Sequence, residues 1–222
     1  MRCTIHQPEH LPWLGFWQKL AVAETLVILD QVQFKKRHFE CRNKIGQGGQ
    51  AQWITVPTVK CPRSTLIDTV RIDLAAPWRE RNLESVRRAY RRAPHFKEMF
   101  ADFSHIYGGE YVHLIDLNLE LIGWIVERCG FGVQVVTQSS LGTQEAGSRL
   151  IEEVCVKVGA GAYVSGLSGA EYLDLPAFEE RGIQIEFVEY RGYYSSVKSE
   201  NLCILDYLFQ FGYSALVPYL RG

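Results

Sequence analysis

The apolar positions of this chain switch between two periods, and the switches outline a fold. "RCTIHQ" near the start is a short β-rich run, and "TLVILD" (Thr25 to Asp30) is a cleaner one. Between them, "WLGFWQKLAVAE" places Trp13, Phe16, Trp17 and Leu20 on one helical face. Strand, turn, helix and strand within so short a span make a βαβ unit. Such a unit requires a parallel sheet, because parallel neighbours need a crossover between them.

The next stretch, "QVQFKKRHFECRNKIGQGGQAQ", is polar and basic; it predicts a short strand around Phe34 and a turn at Gly46, Gly48 and Gly49. "WITVPTV" and "LIDTVRIDL" predict two further strands. From Pro77 the period lengthens. "PWRERNLESVRRAYRRAP" reads as a helix, with Pro77 in its first turn and Pro94 beyond its end. "HFKEMFADFSHIYG" and "YVHLIDLNLELIGWIVERCG" predict two more helices, the second stopped by Gly130. After these, strand and helix patterns alternate: "VQVVTQSSL", "SRLIEEVCVKVGA", "AYVSG", "AEYLDLPAFEERG" and "IQIEFVEY", with "CILDYLFQFG" as a final short helix. The pattern predicts an α/β fold, with a mainly parallel sheet flanked by helices and a helical segment in the middle of the chain. We read one domain over residues 1–222, with residues 77–130 as a helical insertion or lobe.

Composition narrows the function. The 222 residues are 47% hydrophobic and 22% charged, with a net charge of -1, enough for one sizeable core. That balance argues against nucleic-acid binding, which shows as a basic excess. No apolar run is long enough to cross a bilayer, and "MRCTIHQPEH" lacks the apolar core of a signal peptide; the expected location is cytoplasmic. The six cysteines are scattered without a CxxC pair, which favours reduced thiols over a disulfide framework or a zinc site.

Candidate chemistry gathers in three places. The first is the turn after the first strand, with His6, Gln7, Glu9 and His10, at the sheet edge where open α/β folds bind ligands. Histidine moves protons near neutral pH or binds metal. Gly15 permits close approach of backbone or ligand. The alternative, that His6 is a buried strand residue and the prolines only shape the turn, stays open. Glu9 is read with that second view. The second place is Asp30, Gln33, Lys35, Lys36, Arg37, His38, Arg42 and Asn43, a basic run able to pair with a phosphate, pyrophosphate or carboxylate. Cys41 lies beside Arg42, where a thiolate would be stabilised, and a His38/Cys41 dyad is conceivable. The third is "YVSGLSGAEYLD", whose Gly166, Ser168 and Tyr172 face a ligand; Ser168 is read first as a helix cap. No metal site and no cofactor are assigned. The arginines Arg79, Arg81, Arg87, Arg88, Arg91 and Arg92 share one predicted helix, either as a solvated face or as a patch for an acidic partner.

These segments together resemble the WbqC-like protein family. The resemblance is carried by "IHQPEHLPWLGFWQKL", "DQVQFKKRHFECRNKI", "WITVPTV", "YVSGLSGAEYLD" and "LCILDYLFQFG", and it covers nearly the whole chain. The positions that match are His6, Gln7, Pro8, Trp13, Gly15, Asp30, Gln33, Arg42, Asn43, Thr55, Gly166, Gly169, Tyr172, Asp174 and Asp206. Three depart: His10 stands where tyrosine is usual, Cys41 where asparagine is common and Asn82 where histidine is expected. The resemblance implies a bacterial protein of polysaccharide or secondary-metabolite biosynthesis, with some members labelled glycine transferases.

The expected activity is therefore acyl or aminoacyl transfer from a thioester or adenylate to an amine or amino sugar. His6 or His10 would serve as base and Asp30 as orienting group. Gln7, Gln33, Lys35, Arg42, Asn43, Thr55, Gly166, Ser168 and Tyr172 would hold the substrate. Two other readings are a nucleotide-dependent enzyme of nucleotidylyltransferase-like architecture and a non-catalytic partner of an acyl-carrier protein or assembly enzyme.

Overall fold

A computed structural model of the chain describes residues 1–190, 192, 197 and 201–222. Five strands form one parallel sheet: β1 (Arg2–His6), β2 (Thr25–Ile28), β5 (Gln134–Thr137), β6 (Ala162–Gly166) and β7 (Gln184–Val188). Their spatial order is β5-β2-β1-β6-β7. The chain runs outward from β1 through β2 to β5, returns to the far side of β1 and runs outward again through β6 to β7. This is the doubly wound arrangement, and its direction reverses between β1 and β6.

Helix α1 (Leu14–Leu20) makes the β1 to β2 crossover, α5 (Gly147–Lys157) the β5 to β6 crossover and α6 (Leu175–Glu180) the β6 to β7 crossover. Strand alternation assigns the two faces. Leu26 and Ile28 enter a core with Phe16, Trp17 and Leu20 of α1, whereas Val27 and Leu29 join Cys3, Ile5, Val154 and Phe178 on the other face. His6 follows Ile5 and falls to the α1 face, where its ring meets Phe16 edge-on at 4.9 Å.

A long excursion separates β2 from β5. It holds an antiparallel hairpin, β3 (Arg42–Gln47) with β4 (Gln50–Thr55), and the helices α2 (Trp78–Tyr90), α3 (Phe96–Tyr107) and α4 (Leu114–Cys129). The hairpin turn falls on Gly48 and Gly49, whose φ angles of 58° and 78° belong to the left-handed region that glycine tolerates. Helices α7 (Ile204–Phe211) and α8 (Tyr213–Arg221) follow β7. Residues of α1 to α4, α7 and α8 share one apolar core.

Two local expectations are corrected. Phe34 is not in a strand: its neighbour Gln33 makes only an isolated bridge to Leu66, and the strand begins at Arg42. "LIDTVRIDL" is not a strand but a 3-10 turn, Ile67–Thr69, followed by isolated bridges. Its alternation arises because Ile67, Val70 and Ile72 all dip into the core from an irregular path. Helix α8 went unforeseen, since Pro218 lies inside it and reads as a breaker.

Candidate functional site

The turn from Gln7 to Trp13 is fastened from four directions. Asn118 of α4 donates Nδ2–H to Pro8 O (2.8 Å) and to Glu40 O (2.7 Å). Its Oδ1 accepts from His10 Nδ1 at 3.0 Å, and the other imidazole nitrogen meets the Tyr107 hydroxyl of α3. Asn43 of β3 donates to His10 O (3.2 Å) and Leu11 O (2.9 Å). That pairing holds Leu11 at φ 50°, an unfavourable conformation for a residue with a Cβ. Pro12 O accepts from the Trp17 indole (3.0 Å) and from Ile204 N (3.1 Å). A turn held this firmly presents its neighbours in one geometry.

A cavity of about 720 Å³ opens beside it, at the carboxyl ends of β1 and β6. This is the reversal point of the sheet, where doubly wound folds bind ligands. His6 lines it from the end of β1 and Gln7 from just beyond, Trp13, Gly15 and Lys19 from the start of α1 and from α1 itself, and Ser165, Gly166, Ser168 and Tyr172 from β6 and the turn that follows. Gly15 shapes the wall. A Cβ there would stand 2.3 Å from the Trp13 ring, so the glycine makes room for an indole. Gly15→Ala is expected to displace Trp13 and to lower stability by about 1–3 kcal/mol, read by urea unfolding, with a change in tryptophan emission.

The ionisable groups of the site are perturbed. Burial, then the Lys19 charge, pushes His6 down to about 3, so the ring is neutral at pH 7. Its Nδ1 donates to Gln7 O at 3.1 Å, which leaves Nε2 as an acceptor. Glu9 is pushed up to about 8, first by burial, so it is a neutral acid at pH 7; its Oε1 is 3.7 Å from His6 Nδ1, and among the described residues its Oε2 has no hydrogen-bond partner. Lys19 is pushed down to about 8 by burial and is mostly charged at pH 7.

The model of the WbqC-like protein family matches residues 7–217. The chain belongs to the WbqC-like family. A relative is the uncharacterized protein Rv1507c of Mycobacterium tuberculosis (strain ATCC 25618 / H37Rv), 29% identical over 232 residues that cover 99% of this chain and 97% of that one. No solved structure matches.

The cavity gathers only some of the positions singled out in the sequence: the WbqC-like positions His6, Gln7, Trp13, Gly15, Gly166 and Tyr172, with Lys35 and Ser168 beside them. Trp13 is thus a cavity wall, while Trp17 is core. The others serve elsewhere. His10 is fully buried and turned toward Asn118 and Tyr107. Asp30 is buried and accepts from Ser139 N (2.9 Å) and from the Ser139 hydroxyl, tying the end of β2 to the chain after β5. Gln33 donates to Arg63 O (2.7 Å), and Arg42 lies 4.1 Å over the Trp53 ring. Thr55 lines a second cavity of about 560 Å³ with Asn82, Arg81 and Arg88.

Two further readings are corrected. Burial raises the Cys41 thiol, and its Sγ donates to the backbone oxygen of His38 (3.6 Å), not to the ring, so there is no thiolate dyad. Ser168 caps no helix, because it lies within a 3-10 turn, Leu167–Glu171, that has no side-chain cap bond. Among the described residues, no group of three His, Cys, Asp or Glu side chains is arranged to hold a metal ion, and no helix is long and apolar enough to cross a membrane. Lys19 was passed over in the sequence. Its signal was spacing, since it stands four residues after Gly15 on the same helix face.

Proposed function

We propose that this protein transfers an acyl or aminoacyl group from an activated donor, a thioester or adenylate, to an amine bound at the end of β1. The observation that supports it is the cavity at the sheet reversal, where a neutral His6 stands among Gln7, Ser168 and Tyr172. His6 Nε2 accepts an N–H of the amine and aims its lone pair at the donor carbonyl. As the amine nitrogen attacks, the C–S or C–O bond to the leaving group breaks. His6 takes the amine proton and passes it to the departing thiolate, or loses it to solvent when the leaving group is AMP. Negative charge developing on the carbonyl oxygen raises the proton affinity of the imidazole at that moment. Gln7 and the hydroxyls of Ser168 and Tyr172 supply donors for the carbonyl oxygen. His10 and Asp30 have no direct part in this reading, because each is engaged within the protein.

The test is a product assay by mass spectrometry, with aminoacyl and acyl thioesters offered together with amino-sugar acceptors. We expect N-acylated product, and His6→Ala is expected to lower kcat/KM about a hundredfold while the melting transition stays cooperative. A His6→Ala enzyme with unchanged turnover would remove His6 from the reaction. A carrier-borne donor would meet the exposed arginines of α2, of which Arg87 and Arg88 also pair with Glu84; such docking weakens as salt rises.

The strand order favours a second reading, a nucleotide-dependent enzyme, since nucleotides bind at the reversal of such sheets. Thermal shift with ATP, CTP and nucleotide sugars separates the two readings: stabilisation by a nucleotide, without product from thioester donors, selects the second.

A further inference from the structure

The cavity at the end of β1 has an unbalanced wall. Among the described residues its lining contains Lys19, Lys35 and His6, and no aspartate or glutamate. The chain as a whole has 25 acidic residues against 24 lysines and arginines, so this is a local exclusion of negative charge. Among the described residues, no hydrogen bond or ion pair engages the Lys19 ammonium. Helix α1 otherwise buries Leu14, Gly15, Phe16, Trp17, Gln18 and Leu20, and a lysine set into such a helix without a counterion is costly.

We propose that Lys19 reads the charge of the ligand: whatever fills this cavity presents a carboxylate or phosphate group to the Lys19 ammonium. The nearby acid does not replace such a ligand. Glu9 forms no ion pair with Lys19 within 4.0 Å among the described residues, and burial keeps it protonated at pH 7. His6 is neutral there. Among the described residues the positive charge of Lys19 is therefore unanswered, with the more exposed Lys35 adding to it. Gln7 and the hydroxyls of Ser168 and Tyr172 supply neutral donors around the same space. An anionic oxygen group is the ligand chemistry that satisfies all of these at once.

This inference shares its cavity with the transfer reading but not its chemistry, so the two fail separately. The experiment is protection of Lys19 from acetylation by N-hydroxysuccinimide acetate at pH 7, mapped by peptide mass spectrometry. The exposed Lys60 and Lys97 serve as internal references. Inorganic phosphate and ATP probe a phosphate source, glycine and acetate a carboxylate source, and chloride at equal ionic strength is the control. One of these probes is expected to protect Lys19 roughly tenfold at ten times its Kd and to raise the melting temperature. Lys19→Met should abolish that rise and Lys19→Arg keep most of it. The inference is overturned if no probe protects Lys19 beyond chloride, if Lys19→Met keeps the full rise, or if only Lys35→Met loses it. Removing an unpaired inward charge should leave Lys19→Met folded, which its own melting curve reports. Protection of Lys19 without any transfer product would leave the anion site standing and dismiss the transfer reading; product formation with unprotected Lys19 would do the reverse.

Discussion

Asn118→Ala unfolds about 4 kcal/mol more easily than the wild-type chain. The side chain is fully buried and serves three groups that have no water to fall back on: Pro8 O, Glu40 O and His10 Nδ1–H. Leaving a buried polar group unpaired costs about 1–3 kcal/mol each, and alanine leaves three unpaired. For a domain of this size the loss corresponds to a fall in Tm on the order of 10 °C. Urea unfolding checks it, with Glu120→Ala on the exposed face of the same helix as a control expected within about 0.5 kcal/mol of wild type. A loss no larger than that control would show that the turn holds its shape without α4. The same variant should blunt ligand binding at the cavity, because Asn118 fixes the turn that begins at Gln7 and follows His6.

Glu9→Gln, by contrast, makes the protein more stable at pH 7, and the gain depends on pH. Glu9 ionises near 4.5 in the unfolded chain but only near 8 in the fold. A carboxyl whose folded pKa is raised costs nothing below pH 4.5. Each pH unit above that costs about 1.4 kcal/mol, until the penalty levels off near pH 8. At pH 7 the penalty is on the order of 3 kcal/mol, and an isosteric amide removes it. His6 works in the opposite direction: its folded value of about 3 lies below its ordinary 6.5, so the fold loses stability as pH falls below 6.5. The wild type should therefore weaken on both sides of a maximum between pH 4.5 and 6.5. Glu9→Gln should flatten only the alkaline side, and unfolding series at pH 5, 7 and 8 read the difference. An equal gain at pH 4 would contradict the assignment, since Glu9 is then protonated in both states. Lys19 adds a further cost below pH 8, its folded value, because the unfolded chain keeps it charged up to 10.5. Three destabilising ionisable groups beside one cavity fit a site in which stability is given up for ligand chemistry.

What could be read along the chain was whatever neighbouring residues decide among themselves. Short β-rich runs in "RCTIHQ" and "TLVILD", with helical spacing between them, leave little choice but a parallel pair joined by α1, and strand polarity then puts Gln7 at the ligand edge. Gly130 in the left-handed region ends α4 as its position suggested, because only glycine takes that conformation cheaply. The stretch "LIDTVRIDL" misled because alternation reports burial on one side, and an irregular chain dipping into a core alternates just as a strand does.

His10, Asp30 and Asn43 show where such reading stops. All three belong to polar stretches at the sheet edge, and nothing local separates a polar group that faces ligand from one that faces protein. His10 is decided by Asn118, 108 positions away, and Asp30 by Ser139, 109 positions away. Lys19 is the converse, ordinary in sequence and unusual only because the fold sets it in the lining of a cavity that, among the described residues, holds no acid. The sequence by itself determined the α/β class, the parallel pairing of β1 with β2 and the position of Gln7 just past the carboxyl end of β1. The tertiary structure alone decided which polar side chains remain free for a ligand, because hydrogen-bond partners are set by contacts that only the folded chain brings within 3 Å.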